Sequence, residues 1–231
     1  MGLPPESRIL GTIDAEEIVI GQGVLVEEGA LIAGKNGRAA RVVLGDHCFI
    51  GRGTRILVPE FRLGDYSKLH ASSFAHGERP LQIGRNCWIG GGTVLDSMGG
   101  LTVDDNVGIG SQSQIWTHIR FGDIVEGCRF FQERSMWIGK DAWFVGHCVV
   151  SPVAVGERSM ALAGSVVTRD MLANHVYGGV PAADLTDKIG GQFEPRSVGE
   201  KAARLRELID AFTSRHPEYA GQLLVAASPD E

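Results

Sequence analysis

The chain is notable first for what is missing from its 231 residues. No apolar run approaches the roughly 18 residues that a membrane span demands, so no membrane span is expected. The first residues, MGLPPESRIL, lack a cationic stretch followed by an apolar one, so no signal peptide is expected. There is no basic cluster, and the formal net charge is −6, which argues against a nucleic-acid partner. No CxxC pair or metal-finger spacing of Cys and His occurs. Prolines number nine against 32 glycines, and no Gly-X-Y period is present, which excludes collagen and fits disorder poorly.

Cysteines are few and their placement is informative. Cys48, Cys87 and Cys148 each take the fifth position of a six-residue unit: LGDHC, IGRNC and FVGHC. Elsewhere that position holds Ala, Ser, Thr or Val, so these read as small, buried, inward-facing thiols. Cys128 lies outside the pattern and can remain free. A reducing, cytoplasmic setting is the expectation.

What is present is a period. An aliphatic residue recurs every six positions, usually followed by Gly, Asp or another short residue, with a small residue four places on. Group starts at Leu44, Leu63, Ile83 and Val103, then Ile138 and Val155, lie 17 to 20 residues apart away from one interruption. Internal repeats of this length mean stacked coils, each burying its apolar face on the next. Six residues per side and three sides per turn make a triangular prism of short parallel strands. Gly, Asp and Asn fill corners that need positive φ or side-chain-to-backbone bonds. No helical periodicity separates the units, so a βαβ sheet, which needs a crossover after each strand, is disfavoured.

Residues 1–15 read as a lead-in, 16–185 as the β-helix and 186–231 as a C-terminal extension. Within the extension, Ser197 to Glu200 has capping-box form, and Val198, Ala202, Leu205, Ile209 and Phe212 follow at helical spacing. This amphipathic helix is expected to cap the open last coil, with residues 220–231 frayed. Two loops are expected to leave the prism: a short one at 70–81 and a long one at 118–136. Loops on a rigid repeat commonly carry function. The long one opens at His118, and an imidazole can take and return a proton near neutral pH.

The ordered set SQIWTH, the long loop, WIGKDAWFVGHCVVSP, VGERSMALAGSVVTRD and GGVPAADL resembles the hexapeptide-repeat acyltransferases. The similarity points to the branch of galactoside, maltose and nodulation-factor O-acetyltransferases. It covers roughly residues 81–185, with earlier coils matching only as generic repeat. It implies an all-β fold, a left-handed parallel β-helix of hexapeptide repeats. It also implies a homotrimer with sites between neighbouring prisms, and acetyl-CoA or another acyl-CoA as co-substrate. The acceptor would be a hydroxyl or amine of a sugar-like or other small molecule. His118 matches the general base, although Thr117 and Ile119 flank it where the family often has Gly and Pro. Asp96 falls near the position that holds the acceptor hydroxyl. Glu126, on the acceptor side, and Asp123 are candidates to orient the histidine. The Gly146 amide matches the donor to the thioester oxygen. Ala163, Gly164 and Ser165 would line the pantetheine arm, and Thr168 and Arg169 would meet the adenosine phosphates, a role that suits Arg by charge and geometry. No metal is implied.

His147 reads as a structural turn residue, His70 and His76 as possible lining of the acceptor pocket, and Trp116 and Trp143 as packing groups. Two other readings stand beside this one. A zinc-dependent carbonic anhydrase on the same scaffold would need converging histidines in the repeat units, and only His47 and His147 occur there. A non-catalytic trimeric scaffold would not be expected to keep the loop histidine.

Overall fold

A computed structural model describes residues 4–223. The described residues up to Gln192 form one compact unit and those from Phe193 a second. The first is a three-sided parallel β-helix. Its strands fall into sheets of ten, eight and six, each sheet one face of the prism, with an additional two-stranded hairpin.

The six-residue period is legible in the register. On the first face the inward column runs Ile9, Val26, Ile50, Leu69, Ile89, Ile109, Phe144, Ala161, Tyr177. On the second it runs Ile13, Ile32, Ile56, Ala75, Leu95, Ile115, Val150, Val167. The third face carries Ile20, Leu44, Leu63, Ile83, Val103 and Ile138. On the first two faces the residue two places before the aliphatic is mostly small and buried as well, Cys48, Ser67, Cys87, Ser113, Cys148 and Ser165 being at most 1% exposed, whereas the third face has larger residues such as Phe61 and Leu81 there. Small side chains suit those positions of the first two faces because the inner edges of the sheets converge.

Corners are built from positive φ. Asn86, Asn106 and Asp141 stack along the corner between the third and first faces, with φ of 54°, 60° and 60°. Asn86 Nδ2 donates to Asn106 Oδ1 at 3.0 Å, and Asn106 Nδ2 to Asp141 Oδ1 at 3.0 Å. Asn and Asp tolerate this backbone because their short polar ends bond locally. At Gly110 space is the constraint, since a Cβ would strike the Val145 carbonyl of the next coil.

Three expected boundaries move. Strands Arg8–Ile9 and Thr12–Ile13 already pair with Leu25–Val26 and Leu31–Ala33, so the first coil begins inside the expected lead-in. Residues 70–81 are no loop: Phe74–His76 is a regular strand of the second face, with Ala75 filling the inward position. A small alanine there had hidden the period. The long excursion is real, but Met136 belongs to the strand Met136–Ile138 and is buried.

In the second unit, helix Val198–Arg215 starts on a complete capping box between Ser197 and Glu200. Residues 224–231, in the stretch expected to fray, lie outside the described residues. No helix among the described residues is long and apolar enough to cross a membrane.

Ile109 is fully buried between Ile89 and Phe144. Ile109→Ala should lower unfolding free energy by about 2–5 kcal/mol, read from urea denaturation followed by circular dichroism.

Candidate active site

The corner between the second and third faces carries the excursion. His118–Arg120 pairs antiparallel with Phe131–Glu133, and His118 lies opposite Glu133. The Arg134 amide donates to the Thr117 carbonyl at 3.1 Å, closing the base of this arm. His118 therefore sits on a hydrogen-bonded hairpin stem, with its side chain 22% exposed.

Asp96 ends the strand Val94–Asp96 one coil earlier and is fully buried. A buried carboxylate is costly unless donors surround it. Oδ2 accepts the Thr117 N–H at 2.8 Å, the Thr117 hydroxyl at 2.6 Å and His118 Nδ1 at 2.8 Å. Oδ1 accepts the Met98 amide at 3.3 Å. The Thr117 hydroxyl itself accepts the Gly99 amide at 3.0 Å. An acceptor-only carboxylate on Nδ1 assigns the proton to that nitrogen and leaves His118 Nε2 as the open lone pair.

This geometry revises the sequence reading of two carboxylates. Asp123 and Glu126 lie in the exposed tip of the arm, where Asp123 Oδ1 accepts the amides of Val125 and Glu126. Neither has a bond to His118, whose carboxylate partner is Asp96. Glu126, expected on the acceptor side, is thus placed at the tip rather than beside the imidazole.

A second imidazole completes the cluster. His76 faces Asp96 across the strand register, with Nδ1 3.8 Å from Oδ1. It stacks on Phe74 at 4.8 Å between ring centroids. Trp116 meets His76 and His118 edge-on at 6.3 Å and 6.2 Å. Burial pushes the His76 pKa down; the Asp96 carboxylate opposes this, while His118 and Lys35 add to it. His70 belongs elsewhere, packed between Phe49 and Trp88. His147 is a corner residue with φ of 52°, its amide donating to the Ser111 carbonyl.

The candidate acyl-CoA residues fall on two corners. Gly146, Ala163, Gly164 and Ser165 lie between the first and second faces, away from the arm. Ser165 is buried, with its hydroxyl donating to the Leu162 carbonyl at 2.6 Å and its own carbonyl accepting the Val149 amide, so it is committed to the coil. Ala163 and Gly164 are exposed. Thr168 and Arg169 share the corner of the arm. They line a cleft of about 640 Å³ with Ile119, Gln132 and Arg134, and a second cleft of about 570 Å³ with Tyr177 and Pro181. Arg169 has no ion-pair partner among the described residues, leaving a guanidinium available to an anion.

Sequence reasoning had no signal for a second His–Asp pair, His175 Nδ1 to Asp184 Oδ2 at 2.6 Å. Asp184 is spent on architecture. Its Oδ1 accepts both the amide and the hydroxyl of Thr186 at 2.9 and 2.6 Å, fixing the turn after the hairpin strand Ala182–Asp184. Those bonds and His175 hold its carboxyl down at about 2.

No family model matches the chain. Among curated proteins it is similar to the bifunctional protein GlmU of Listeria innocua, 26% identical over 204 residues, covering 75% of this chain and 40% of that protein. The chain thus spans about 40% of the length of the curated relatives it matches along most of its own. A segment of 45 residues is 44% identical to galactoside O-acetyltransferase of Escherichia coli, covering 19% of this chain and 22% of that one. Among solved structures it is similar to the polySia-specific acetyltransferase NeuO, with a TM-score of 0.53 and 18% identity over 81% of this chain and 89% of that one. A mutant form of AntD, an N-acyltransferase from Bacillus cereus in complex with dTDP and coenzyme A, gives 0.51 and 16% over 85% and 91%. At such identities the likeness establishes the fold, the left-handed parallel β-helix of hexapeptide repeats.

Thr117→Val removes one donor from the buried carboxylate and should cost about 1–3 kcal/mol of stability, measured by chemical denaturation. Asp184 favours the fold in its ionised form. That contribution is complete above its ordinary carboxylate pKa and is lost as pH falls from there through about 2. Asp184→Asn should therefore flatten the acid limb of melting temperature against pH over that window, as followed by calorimetry.

Proposed function

We propose that the protein is an acyl-CoA-dependent acyltransferase, using acetyl-CoA, with His118 as general base. The observation that carries this reading is the imidazole on the arm stem, fixed at Nδ1 by the buried Asp96 carboxylate, with Nε2 left open. Its place at the break in the repeat matches the family's catalytic histidine. The names of similar proteins, acetyltransferases and N-acyltransferases, support the same class.

In the proposed step His118 Nε2 takes the proton of an acceptor hydroxyl or amine as that atom attacks the thioester carbonyl carbon. Asp96 holds the ring and stabilises the imidazolium that forms. When the C–S bond breaks, His118 returns the proton to the departing thiolate. A backbone amide near Gly146 is the proposed donor to the developing oxyanion. Arg169 and Thr168 are the proposed phosphate contacts, supported by the unpaired guanidinium on the cleft beside the arm. No covalent acyl-enzyme is proposed, because Cys48, Cys87 and Cys148 are buried, and burial raises the Cys48 thiol to about 12 and the Cys87 thiol to about 11.

The acting form is proposed to be a homotrimer in the cytoplasm. On the outward column of the first face Leu25, Phe49, Trp88, Trp143 and Met160, interrupted by Lys68 and Gly108, supply apolar surface; Trp88 and Trp143 are 46% and 45% exposed. The arm adds Phe121, Val125 and Phe130, all largely exposed. An interface there would also bring the two separated corners of candidate residues together from neighbouring copies.

Thiol release from acetyl-CoA with a panel of sugar and amine acceptors tests the reading. His118→Ala should lower kcat at least ~100-fold, and Asp96→Asn at least ~10-fold. CoA affinity and trimer mass should not change. CoA binding by the wild type without turnover of any acceptor would favour a binding scaffold instead.

A further inference from the structure

We propose that His76 is a specificity-determining residue of the acceptor subsite: it binds a second hydroxyl, adjacent to the one His118 deprotonates, so the site selects vicinal diols. This rests on the acyl-transfer reading and goes beyond it in assigning a residue and a requirement on the acceptor.

The two oxygens of Asp96 are used unequally. Oδ2 is saturated by three donors from Thr117 and His118. Oδ1 holds only the long Met98 contact and faces His76 Nδ1 at 3.8 Å, beyond hydrogen-bond length. The His76 side chain is 26% exposed and neither ring nitrogen has a hydrogen-bond partner among the described residues, so both can serve a ligand. Burial favours its neutral form, which offers one N–H and one lone pair. A hydroxyl both gives and takes a hydrogen bond, and so matches either nitrogen.

His76 and His118 thus approach the two oxygens of one carboxylate from either side of its coil, His76 from the coil before Asp96 and His118 from the arm that leaves the coil after it. Groups held that close address neighbouring atoms of a small molecule. Phe74, stacked on His76, and Trp116, edge-on to both imidazoles, supply apolar surface beside them. Few convergent polar groups beside aromatic surface are what a small-molecule subsite requires. A cationic acceptor gains little from Asp96, which is fully buried and has three donors on Oδ2. The nearby cation Lys35 is paired with Glu78 at 2.9 Å, so a second anionic group on the ligand gains little there.

Two variants separate the roles of the ring. His76→Phe keeps the stack on Phe74 and removes both nitrogens; His76→Gln restores a donor and an acceptor. Acetyl transfer to methyl β-D-galactopyranoside and methyl β-D-glucopyranoside is measured, with their deoxy counterparts lacking one hydroxyl of each neighbouring pair. Histidine ring NMR runs in parallel, with the His76 signal identified by its loss in His76→Phe. The expected result is a rise in acceptor KM of at least ~10-fold for His76→Phe, with kcat changed less than ~3-fold and the acetyl-CoA KM unchanged. His76→Gln should recover part of the loss. Deoxy glycosides should be poor acceptors for the wild type and lose their disadvantage in His76→Phe. Glycosides at millimolar levels should shift the His76 signal and leave that of His216 in place. An unchanged acceptor KM, an unmoved His76 signal, or a joint loss of kcat, acetyl-CoA KM and melting temperature overturns the proposal. Failure of the underlying reading would look different: no thiol release with any acceptor, whether or not CoA binds. The NMR arm decides the His76 assignment in that case too.

Discussion

A carboxylate taken wholly out of water is the constraint around which this corner of the prism is arranged. Asp96 is fully buried, and ionised carboxylates survive such burial only when donors replace the lost water. Thr117 gives two of those donors and His118 the third. The carboxylate, the turn out of the second face and the orientation of the imidazole are therefore one interdependent assembly. Displacing any member exposes the others to the full desolvation cost.

That assembly relies on the coils beneath it. Parallel register places His76, Asp96 and the start of the arm on successive rungs at one corner. The rungs cannot slip, because each inward aliphatic lies over another and the small residues between them fill the inner edges. A one-residue slip in a strand would turn these columns outward. The arm can depart from the repeat because the coil resumes beneath it at Met136–Ile138, which pairs with Leu101–Val103 as though nothing had intervened. Rigidity comes from the prism and the candidate site from the interruption, a division common where loops are carried on regular scaffolds.

Much of the architecture was readable from residues alone, for an identifiable reason. Hexapeptide spacing is a local property, and every coil repeats the same packing solution, so the inward columns, the buried cysteines and the position where the repeat breaks could be named by number. The misreadings occurred where one residue departed from the local rule. Ala75 in an aliphatic position made a regular strand look like a loop. Ser165, expected with Ala163 and Gly164 to offer a small side chain and backbone groups, has its hydroxyl and carbonyl both bonded within the coil. Glu126 and Asp123 were near His118 along the chain but project with the tip of the arm.

By itself the sequence determined the β-helix, its period and the single histidine at the interruption, because each depends on contacts between residues six positions or one coil apart. Only the tertiary structure decided which carboxylate serves that histidine, since Asp96 and His118 are 22 residues apart. It also decided that His76 joins them, and that the candidate acyl-CoA residues lie on two different corners. These are matters of register and side-chain direction across rungs. Linear spacing constrains which face a residue occupies, but the donors that gather around a buried charge are chosen in three dimensions.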